Sequence, residues 1–359
     1  MRAVSTRAPE VLVGARPPRL GFLGVGWIGL KRLLALAASG PAEIVCVADA
    51  STASALQAIL AVRSWAPRAR VVRSLEALLE ETLDGVVIAT PSGMHAQQTT
   101  AALSHDLCVF CQKPLGSSAA EAAAVIATAR EHNRLLAVDF CYRTVAGVTQ
   151  IAALAREGAL GEIYAVDLVF HNACGPDKAW FYDLPQSGGG CVMDLGIHLL
   201  DLLLWVLDSP PVASVSSRLY AHGRQLDTPP TQIEDYATAQ VCFAAGTSAR
   251  LACSWGLHAG RDAVIEATFY GTRGAATLRN NHGSFHDFTV EHCEGTRKRV
   301  LASPPDDWGG RAIGAWARQV QIDPAFDPDC EQLLAVAALV DAIYGRRAEP
   351  GRAGGSAPA

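Results

Sequence analysis

The chain has 359 residues, half of them hydrophobic, with ten cysteines, a formal net charge of -5 and a pI near 6.1. This is enough chain for two domains with ample core, and the slight acidity gives no electrostatic field for nucleic acid or an anionic membrane. The longest apolar stretches, near 199–207 and 333–344, are interrupted by aspartates and fall short of the roughly 20 residues that span a bilayer. Residues 1–18 carry arginines and prolines without a separate apolar region, so we expect a flexible tail, no signal peptide and a cytoplasmic protein.

The cysteines do not form a dense framework, and most lie inside apolar runs, so we expect reduced, buried thiols. One pair, Cys108 and Cys111, fits the C-x-x-C pattern of redox and metal sites. A working pair needs sulfurs that converge, whereas residues 107–111 have the pattern of a short buried strand, on which positions three apart face opposite sides. The sequence therefore favours a structural role for both cysteines.

The first half of the chain begins with an apolar strand at 19–23 that leads into a glycine loop and then a helical pattern to residue 38. The loop consists of Gly24, Val25, Gly26, Trp27, Ile28 and Gly29. This is the G-x-G-x-x-G motif in its required context, where glycines let the backbone approach a pyrophosphate at the positive end of a helix. A second strand, 43–48, ends at Asp49, where the ribose-binding acid of a dinucleotide site belongs.

Asp49 also predicts the choice of cofactor. A carboxylate there accepts hydrogen bonds from the ribose hydroxyls and repels a 2′-phosphate. The next residues, Ala50, Ser51 and Thr52, provide no arginine to neutralise such a phosphate. We therefore predict that NAD is preferred over NADP.

Strands and helices continue to alternate as far as residue 138. The predicted elements are a short strand at 71–72, a helix at 75–81, strands at 84–89 and 107–111, a helix at 117–132 and a strand at 135–138. Ligands in open α/β sheets lie outside the carboxyl ends of the strands, so the loops after 84–89 and 107–111 are predicted to contact the cofactor. The residues concerned are Thr90, Pro91, His95, Gln112, Lys113 and Pro114.

A second glycine-rich segment, residues 188–190, leaves the backbone free to run close to another group, which we expect to be a ligand. The apolar pattern of a buried helix follows. On such a helix Asp194 and His198 are four residues apart and Asp201 is three further on, so a carboxylate and an imidazole share one face. Taken alone, the pattern would be better explained by an acidic residue near a helix N-terminus and a core histidine. With the cofactor loop, it is a candidate acid/base unit.

These residues together resemble the glucose-fructose oxidoreductase, inositol dehydrogenase and MocA family over about 20–346. The resemblance rests on the glycine loop, residues 89–95, the lysine–proline pair at 113–114, and the glycines that lead to Asp194, His198 and Asp201. One position departs from the family, which usually has glutamate where this chain has Gln112. The resemblance implies an NAD(P)-dependent enzyme that moves hydride to or from a sugar, a cyclitol or a related polyol.

The fold implied by the resemblance is α/β, with a Rossmann dinucleotide-binding domain at 19–140 and an α+β substrate domain at 141–345. The second domain is expected to hold a mostly antiparallel, open-faced sheet, through which family members form homodimers or homotetramers. Helices are predicted at 145–155, 311–322 and 330–344, and strands at 163–171, 212–220, 236–243, 249–255, 264–270, 274–278 and 288–290. The tail at 346–359 is predicted to be disordered.

The expected chemistry follows from hydride transfer. Removing hydride from a secondary alcohol requires a base for the hydroxyl proton, and histidine suits that role, so His198 is the predicted base. Lys113 would stabilise alkoxide character and help position the nicotinamide. Asp194 would hold the imidazole tautomer, stabilise the imidazolium or bond a substrate hydroxyl. No metal is needed, because Asp194, His198 and Asp201 form an incomplete zinc set.

The substrate is predicted from residues 171–183, which mix hydrogen-bonding groups with aromatic rings such as Trp180. Tyr142 and Arg143 lie where family members often line the site. Two alternatives stay open at this point. One is an NAD-using glycoside hydrolase of the same fold with no net redox, and the other is a non-catalytic sugar or nucleotide sensor, which would be expected to lack the lysine or the histidine.

Gln112 gives a further hypothesis. A neutral amide beside Lys113 should leave the lysine easier to deprotonate than the family's glutamate would, although neighbours on a strand face opposite sides. We expect Gln112→Glu to remain active and to move the alkaline limb of the pH profile upward. Alternatively, Gln112 only bonds the cofactor or a nearby backbone group.

Overall fold

The computed structural model describes residues 16–346. The predicted tails at 1–18 and 346–359 therefore lie outside the described residues, except for 16–18 and Arg346. The described chain forms two sheets with helices packed against them.

The first sheet has six parallel strands in the order β3-β2-β1-β4-β5-β6. The strands are β1 (Arg19–Leu23), β2 (Glu43–Ala48), β3 (Arg70–Val71), β4 (Gly85–Ile88), β5 (Cys108–Cys111) and β6 (Leu136–Val138). Every residue of β4 and β5 is buried, because helices cover both faces of such a sheet. This is the dinucleotide-binding strand order, which confirms the predicted Rossmann domain.

The helices of this part are α1 (Trp27–Ser39), α2 (Thr52–Val62), α3 (Leu75–Leu79), α4 (His95–Ser104) and α5 (Ala119–Glu131). Two of them, α2 and α4, were not predicted from the sequence. Helix α2 does carry a start signal, since the side chain of Ser51 accepts a hydrogen bond from the N–H of Ser54. Helix α4 begins without such a cap.

The second sheet has nine strands in the order β15-β14-β13-β12-β7-β11-β10-β8-β9. They are β7 (Ile163–Asn172), β8 (Val212–Ala221), β9 (Arg224–Gln225), β10 (Tyr236–Phe243), β11 (Ser248–Ser254), β12 (Ala263–Gly271), β13 (Ala275–Asn280), β14 (Phe288–Glu294) and β15 (Arg297–Ala302). Only β7 and β11 pair in parallel, so the sheet is mostly antiparallel as predicted. The sequence analysis missed β9 and β15, which are a two-residue strand and a strand of mostly exposed residues.

One face of this sheet is buried, because every second residue of β10 is buried while its neighbours stay partly exposed. Helices α6 (Val148–Arg156) and α8 (Ile197–Val206) contribute to the same core. A short helix, α7 (Leu184–Ser187), and a π-helical turn at Val192–Gly196 precede α8. The helical run Leu184–Val206 is apolar and long enough to cross a membrane by composition, but 83% of its most apolar window is buried inside the protein, which is typical of a core helix.

The last two helices are α9 (Arg311–Ile322) and α10 (Gln332–Ile343). Helix α9 returns to the first sheet, where Ile313 and Trp316 join the core that includes Leu20 and Phe22. Helix α10 packs between α5 and α8. The chain end therefore ties the two sheets together.

All ten cysteines lie in the described part of the chain and are free. Cys108 and Cys111 are both buried in β5, and burial raises the pKa of the Cys108 thiol to about 11 and that of Cys111 to about 12. Neither thiol therefore forms the reactive thiolate that redox chemistry needs.

Candidate active site

The glycines at 188–190 are packed against protein groups. A Cβ on Gly190 would lie 1.9 Å from the carbonyl oxygen of Glu234, and one on Gly189 would lie 2.2 Å from the hydroxyl of Tyr344. The expectation that these glycines make room for a ligand is therefore wrong, because the space beside them is filled by Glu234 and Tyr344. Any side chain at Gly190 would clash with the backbone of Glu234.

Glu234 fixes the backbone just before and at the start of the π-helical turn that carries Asp194. Its carboxylate is fully buried and accepts hydrogen bonds from the N–H groups of Gly190 at 2.9 Å and Val192 at 3.0 Å. The hydroxyl of Tyr344 donates to the same carboxylate at 2.7 Å. Burial raises the pKa of Glu234 above its ordinary value, while the hydrogen bonds oppose that rise. The negative charge also lies at the positive end of the helical run that follows.

The π-helical turn places Asp194 beside Lys113. The ammonium of Lys113 donates to the Oδ1 atom of Asp194 and to its main-chain carbonyl oxygen, each at 2.7 Å. The second carboxylate oxygen, Oδ2, accepts a hydrogen bond from the indole Nε1 of Trp255 at 3.1 Å. Single π-helical turns of this kind occur frequently at functional sites. The structure thus joins the predicted lysine and aspartate directly.

His198 lies in an aromatic pocket. Its ring centre is 4.9 Å from that of Tyr142 and 6.5 Å from those of Phe140 and Phe170. The Nδ1 atom is buried and has no hydrogen-bond partner among the described residues. Burial lowers the pKa of His198 well below 6.5, and the positive charges of Lys113 and Arg32 lower it further. The imidazole is therefore neutral at neutral pH and able to accept a proton.

Of the alternative roles predicted for Asp194, a hydrogen bond to the His198 imidazole is not present among the described residues. Both carboxylate oxygens of Asp194 are bonded to other groups, namely Lys113 and Trp255. The carboxylate therefore orients the lysine and does not set the histidine tautomer. Trp255 was missed because nothing in the sequence between residues 194 and 255 indicates that the indole reaches the carboxylate.

Asp201 does not join the acid/base unit. It is buried and accepts two hydrogen bonds from the guanidinium of Arg143, at 2.8 Å and 2.5 Å. A paired donor set of this kind is strong and directional, so it fixes Arg143 against α8. Both residues are thus committed to a structural ion pair, although Arg143 lies close to the aromatic pocket through its contact with Phe140.

The cofactor loop fits a dinucleotide. A Cβ on Gly29 would lie 2.2 Å from the carbonyl oxygen of Gly24, whereas nothing lies within 4 Å of one on Gly26. The space over Gly26 is therefore open for a phosphate. The carboxylate of Asp49 accepts hydrogen bonds from the N–H groups of Val25 at 2.7 Å and Ser51 at 2.8 Å, which hold it at the end of β2 beside the loop. Trp27 is 69% exposed at the mouth of the loop.

The two loops after β4 and β5 are joined by His95. Its ring nitrogens lie 2.6 Å from the carbonyl oxygen of Pro114 and 2.7 Å from that of Thr90. The ring is fully buried, and burial lowers its pKa despite these two carbonyls. His95 is therefore a support for the loop that carries Lys113, not an exposed cofactor ligand. Pro91 is partly exposed at the same edge of the sheet.

Gln112 belongs to a buried ionic network. Its side-chain amide donates to Oδ2 of Asp139, the atom that also accepts from Arg32 at 2.5 Å. Arg32 donates in addition to the carbonyl oxygen of Gly309. The side chains of Gln112 and Lys113 bond to different partners, so no hydrogen bond couples them, and the hypothesis that Gln112 acts electrostatically on Lys113 stays a prediction. The amide neutralises no charge and is a second donor to Oδ2 of Asp139, while Oδ1 is buried without a hydrogen-bond partner among the described residues.

Residues 180–182, called here the aromatic loop, pack against Trp255 beside the Lys113–Asp194 contact. Trp180 and Phe181 stack with ring centres 3.8 Å apart, and Phe181 meets the edge of Trp255 at 6.1 Å. Tyr182 lies 5.8 Å from Trp255 and is 53% exposed. The predicted residue Trp180 thus connects to the Lys113 centre through neighbouring rings. Among the described residues, no group of three or more histidines, cysteines or carboxylates is arranged to hold a metal.

Comparisons with known proteins define the class. A protein-family model described as "Oxidoreductase family, NAD-binding Rossmann fold" matches residues 19–140. A second model, described as "GFO/IDH/MocA C-terminal domain", matches residues 148–277. The chain therefore belongs to the GFO/IDH/MocA family, and it is an NAD(P)-dependent oxidoreductase.

Two curated relatives and one solved structure illustrate the similarity. D-Glucoside 3-dehydrogenase of Escherichia coli (strain K12) is 28% identical over 74% of this chain and 78% of its own length. The dTDP-3,4-didehydro-2,6-dideoxy-alpha-D-glucose 3-reductase of Streptomyces violaceoruber is 28% identical over 91% of this chain and 95% of its own length. The structure of KijD10, a 3-ketoreductase from Actinomadura kijaniata in complex with NADP and TDP-benzene, has a TM-score of 0.77, 22% identity, and covers 91% of this chain and 97% of its own. It shares the fold.

The network around Asp139 predicts the effect of Gln112→Glu. A glutamate would place a second carboxylate against Asp139 and remove the amide donor, so we expect a lower melting temperature and a loss of activity that follows the loss of folded protein. In the double variant Gln112→Glu/Asp139→Asn, the pair again consists of one amide donor and one carboxylate. Part of the lost stability should therefore return. Thermal unfolding of the parent and of these two variants checks this, and an unchanged midpoint in Gln112→Glu would show that the pair is not coupled.

Proposed function

We propose that this protein oxidises a ring hydroxyl of a sugar or cyclitol, or reduces the corresponding ketone, with NAD as the preferred cofactor. The observation that carries the proposal is the contact of Lys113 with Asp194 beside His198, a partly exposed imidazole whose pKa is lowered well below 6.5. When bound, the nicotinamide supplies the hydride acceptor or donor. The open space over Gly26 and the fixed carboxylate of Asp49 support its binding at the glycine loop.

Lys113 is the proposed electrophilic group. An ammonium has three N–H donors, and two of them are used by the Oδ1 and main-chain oxygens of Asp194. The third is available to the reacting oxygen of the substrate, where a positive charge stabilises alkoxide character. Lys113 and Asp194 are both largely buried, with 16% and 18% of their side chains exposed, so water screens this charge only weakly.

His198 is the proposed general base. Its neutral imidazole accepts the hydroxyl proton as hydride leaves the carbon, and returns it during ketone reduction. Since Nδ1 is buried without a partner among the described residues, Nε2 is the nitrogen proposed to face the substrate. Tyr142 packs against this ring and is proposed to line the substrate site together with Trp180.

We further propose that the reacting carbon is carbon 3 of a hexopyranose. Two of the curated relatives are a glucoside 3-dehydrogenase and a 3-reductase of a nucleotide-linked sugar. Methyl glucosides labelled with deuterium at carbon 3 test this directly. Deuterium should appear in the reduced cofactor and slow the reaction, whereas label at carbon 2 or carbon 4 should stay in the sugar; transfer from another carbon would contradict the assignment.

The substrate class is tested with a panel of sugars, glycosides and cyclitols, each with NAD and with NADP, followed by the absorbance of the reduced cofactor. Stoichiometric reduction of NAD by a free polyol supports the proposal. Release of the sugar from a glycoside without added cofactor would favour an NAD-using glycoside hydrolase. Binding without turnover of any substrate would favour a sensor.

The assembly and location are also proposals. Alternate residues on the outer face of the second sheet stay partly exposed, and we propose that a second copy covers this face to form a homodimer or a homotetramer. Light scattering after gel filtration measures the mass of the assembly.

We also propose a cytoplasmic location, because ten free cysteines suit a reducing compartment.

The catalytic roles predict the effect of two substitutions. Lys113→Met and His198→Ala should each reduce kcat by a factor of roughly 100 or more, because each removes a group that acts in the transition state. Lys298→Met and His105→Ala are matched controls, since both side chains lie on the surface, and they should keep full activity. A variant of Lys113 or His198 with normal kcat and a normal melting profile would refute the role of that residue.

The low pKa of His198 predicts the pH profile. Because the pKa lies below 6.5, the imidazole stays in the base form as the pH falls through 6.5, and kcat/KM for alcohol oxidation should decline only at lower pH. Lys113→Met removes a positive charge that lowers this pKa, so its residual activity should begin to decline at higher pH than in the parent. A parent profile that already declines above about pH 7 would contradict the assignment.

The position of Asp49 predicts cofactor preference. Parent kcat/KM should favour NAD, because the carboxylate repels the 2′-phosphate of NADP. Asp49→Ala should reduce the ratio of kcat/KM for NAD to kcat/KM for NADP. Asp49→Asn is the matched control that keeps a hydrogen-bond acceptor without the charge. A parent enzyme that favours NADP would show that Asp49 does not set the choice.

A further inference from the structure

Trp255 presents a rigid hydrogen-bond donor to the active site. The residue directly follows β11 and is only 5% exposed. Its main-chain N–H donates to the carbonyl oxygen of Asp235 at 2.7 Å, so the sheet fixes its backbone. Its indole Nε1 donates to Oδ2 of Asp194 at 3.1 Å. The donor therefore has a fixed origin and a single carboxylate as acceptor.

The carboxylate of Asp194 needs a second contact to be held in one plane. The terminal torsion of an aspartate is broad, and the bond from Lys113 to Oδ1 restrains only one oxygen. The indole N–H restrains the other. With both oxygens bonded, the carboxylate has one orientation, and the ammonium of Lys113 has a fixed acceptor.

We propose that Trp255 is a positioning residue of the reaction, whose indole N–H orients the carboxylate of Asp194 and, through it, the ammonium of Lys113. The inference rests on the proposed function for the roles of Lys113 and Asp194. It assigns a role to the indole nitrogen as well as to the packing of the ring. The remaining aromatic contacts explain why the ring itself stays in place.

The ring of Trp255 also contacts the aromatic loop. Phe181 and Tyr182 both approach it edge-on, at 6.1 Å and 5.8 Å. Burial raises the pKa of the Tyr182 hydroxyl, and the negative charge of Asp194 raises it further, which agrees with a short path from this loop to the carboxylate. Removing only the N–H should leave these ring contacts in place. The expected effect is therefore on kcat more than on KM.

Indole resonances test the hydrogen bond without any turnover. The chain has seven tryptophans, and a spectrum of protein labelled with ¹⁵N-tryptophan resolves their indole N–H groups. In Asp194→Ala one resonance should move to higher field, and the same resonance should be absent from Trp255→Phe. In Trp316→Phe a different resonance is lost and the others stay in place, because the Trp316 indole nitrogen has no partner among the described residues.

Kinetics test whether that bond matters for the reaction. Trp255→Phe keeps an aromatic ring and removes the donor, and should lower kcat about tenfold while the sugar KM changes less than about twofold, as expected for one lost bond to a charged group. Trp316→Phe should keep the parent kcat. In the Asp194→Ala background, Trp255→Phe should reduce kcat by less than about twofold, because the acceptor is already absent.

Two results would overturn the inference. One is an Asp194→Ala spectrum in which no indole resonance moves, which would show that the bond is absent in solution; this measurement does not require Trp255→Phe to fold. The other is an equal proportional loss of kcat on Trp255→Phe with and without Asp194, which would mean that the ring acts only through packing. Failure of the proposed function is distinct, since it would appear as a parent protein that oxidises no sugar.

Discussion

The contact between Lys113 and Asp194 is the interaction on which the proposed chemistry depends. Lys113 follows β5 of the first sheet, and Asp194 lies in the π-helical turn that leads to α8 in the second half of the chain. The ion pair therefore joins the Rossmann domain to the second half of the chain. A partly buried pair gains its stability only when its other hydrogen bonds are satisfied, and here the main-chain oxygen of Asp194 and the indole of Trp255 provide them.

The supports of this pair come from residues far away in the chain. Glu234 and Tyr344 hold the backbone from Gly190 to Met193, while His95 holds the loop that carries Lys113. Each support is a buried polar group with a bonded partner, as the cost of an unsatisfied group requires. The Lys113–Asp194 contact therefore depends on buried residues that hold its two segments in place.

Much of the local structure could be predicted from the sequence, although α2, α4, β9 and β15 were not, and the candidate site residues were chosen from the same local patterns. The glycine loop after β1, the acid at Asp49 and the lysine after β5 all follow from strand ends and turns, which are properties of short segments. The partners of those residues could not be predicted, because the pairs of Gln112 with Asp139 and Asp194 with Trp255 depend on how distant segments pack. Helical spacing placed Asp194, His198 and Asp201 on one face. It could not show that Asp201 forms an ion pair with Arg143 and not with either of the other two residues.

The return of α9 to the first sheet has a consequence for synthesis of the chain. Trp316 and Ile313 are part of the core around β1, although they are made almost three hundred residues after it. The cofactor half therefore leaves the ribosome with an apolar surface that stays uncovered until the segment that forms α9 has also been translated. Contacts of such long sequence separation slow folding, and surface exposed in the meantime favours aggregation. A nascent chain of this kind would benefit from chaperone protection, and a polypeptide that stopped after the first domain would lack part of its own core.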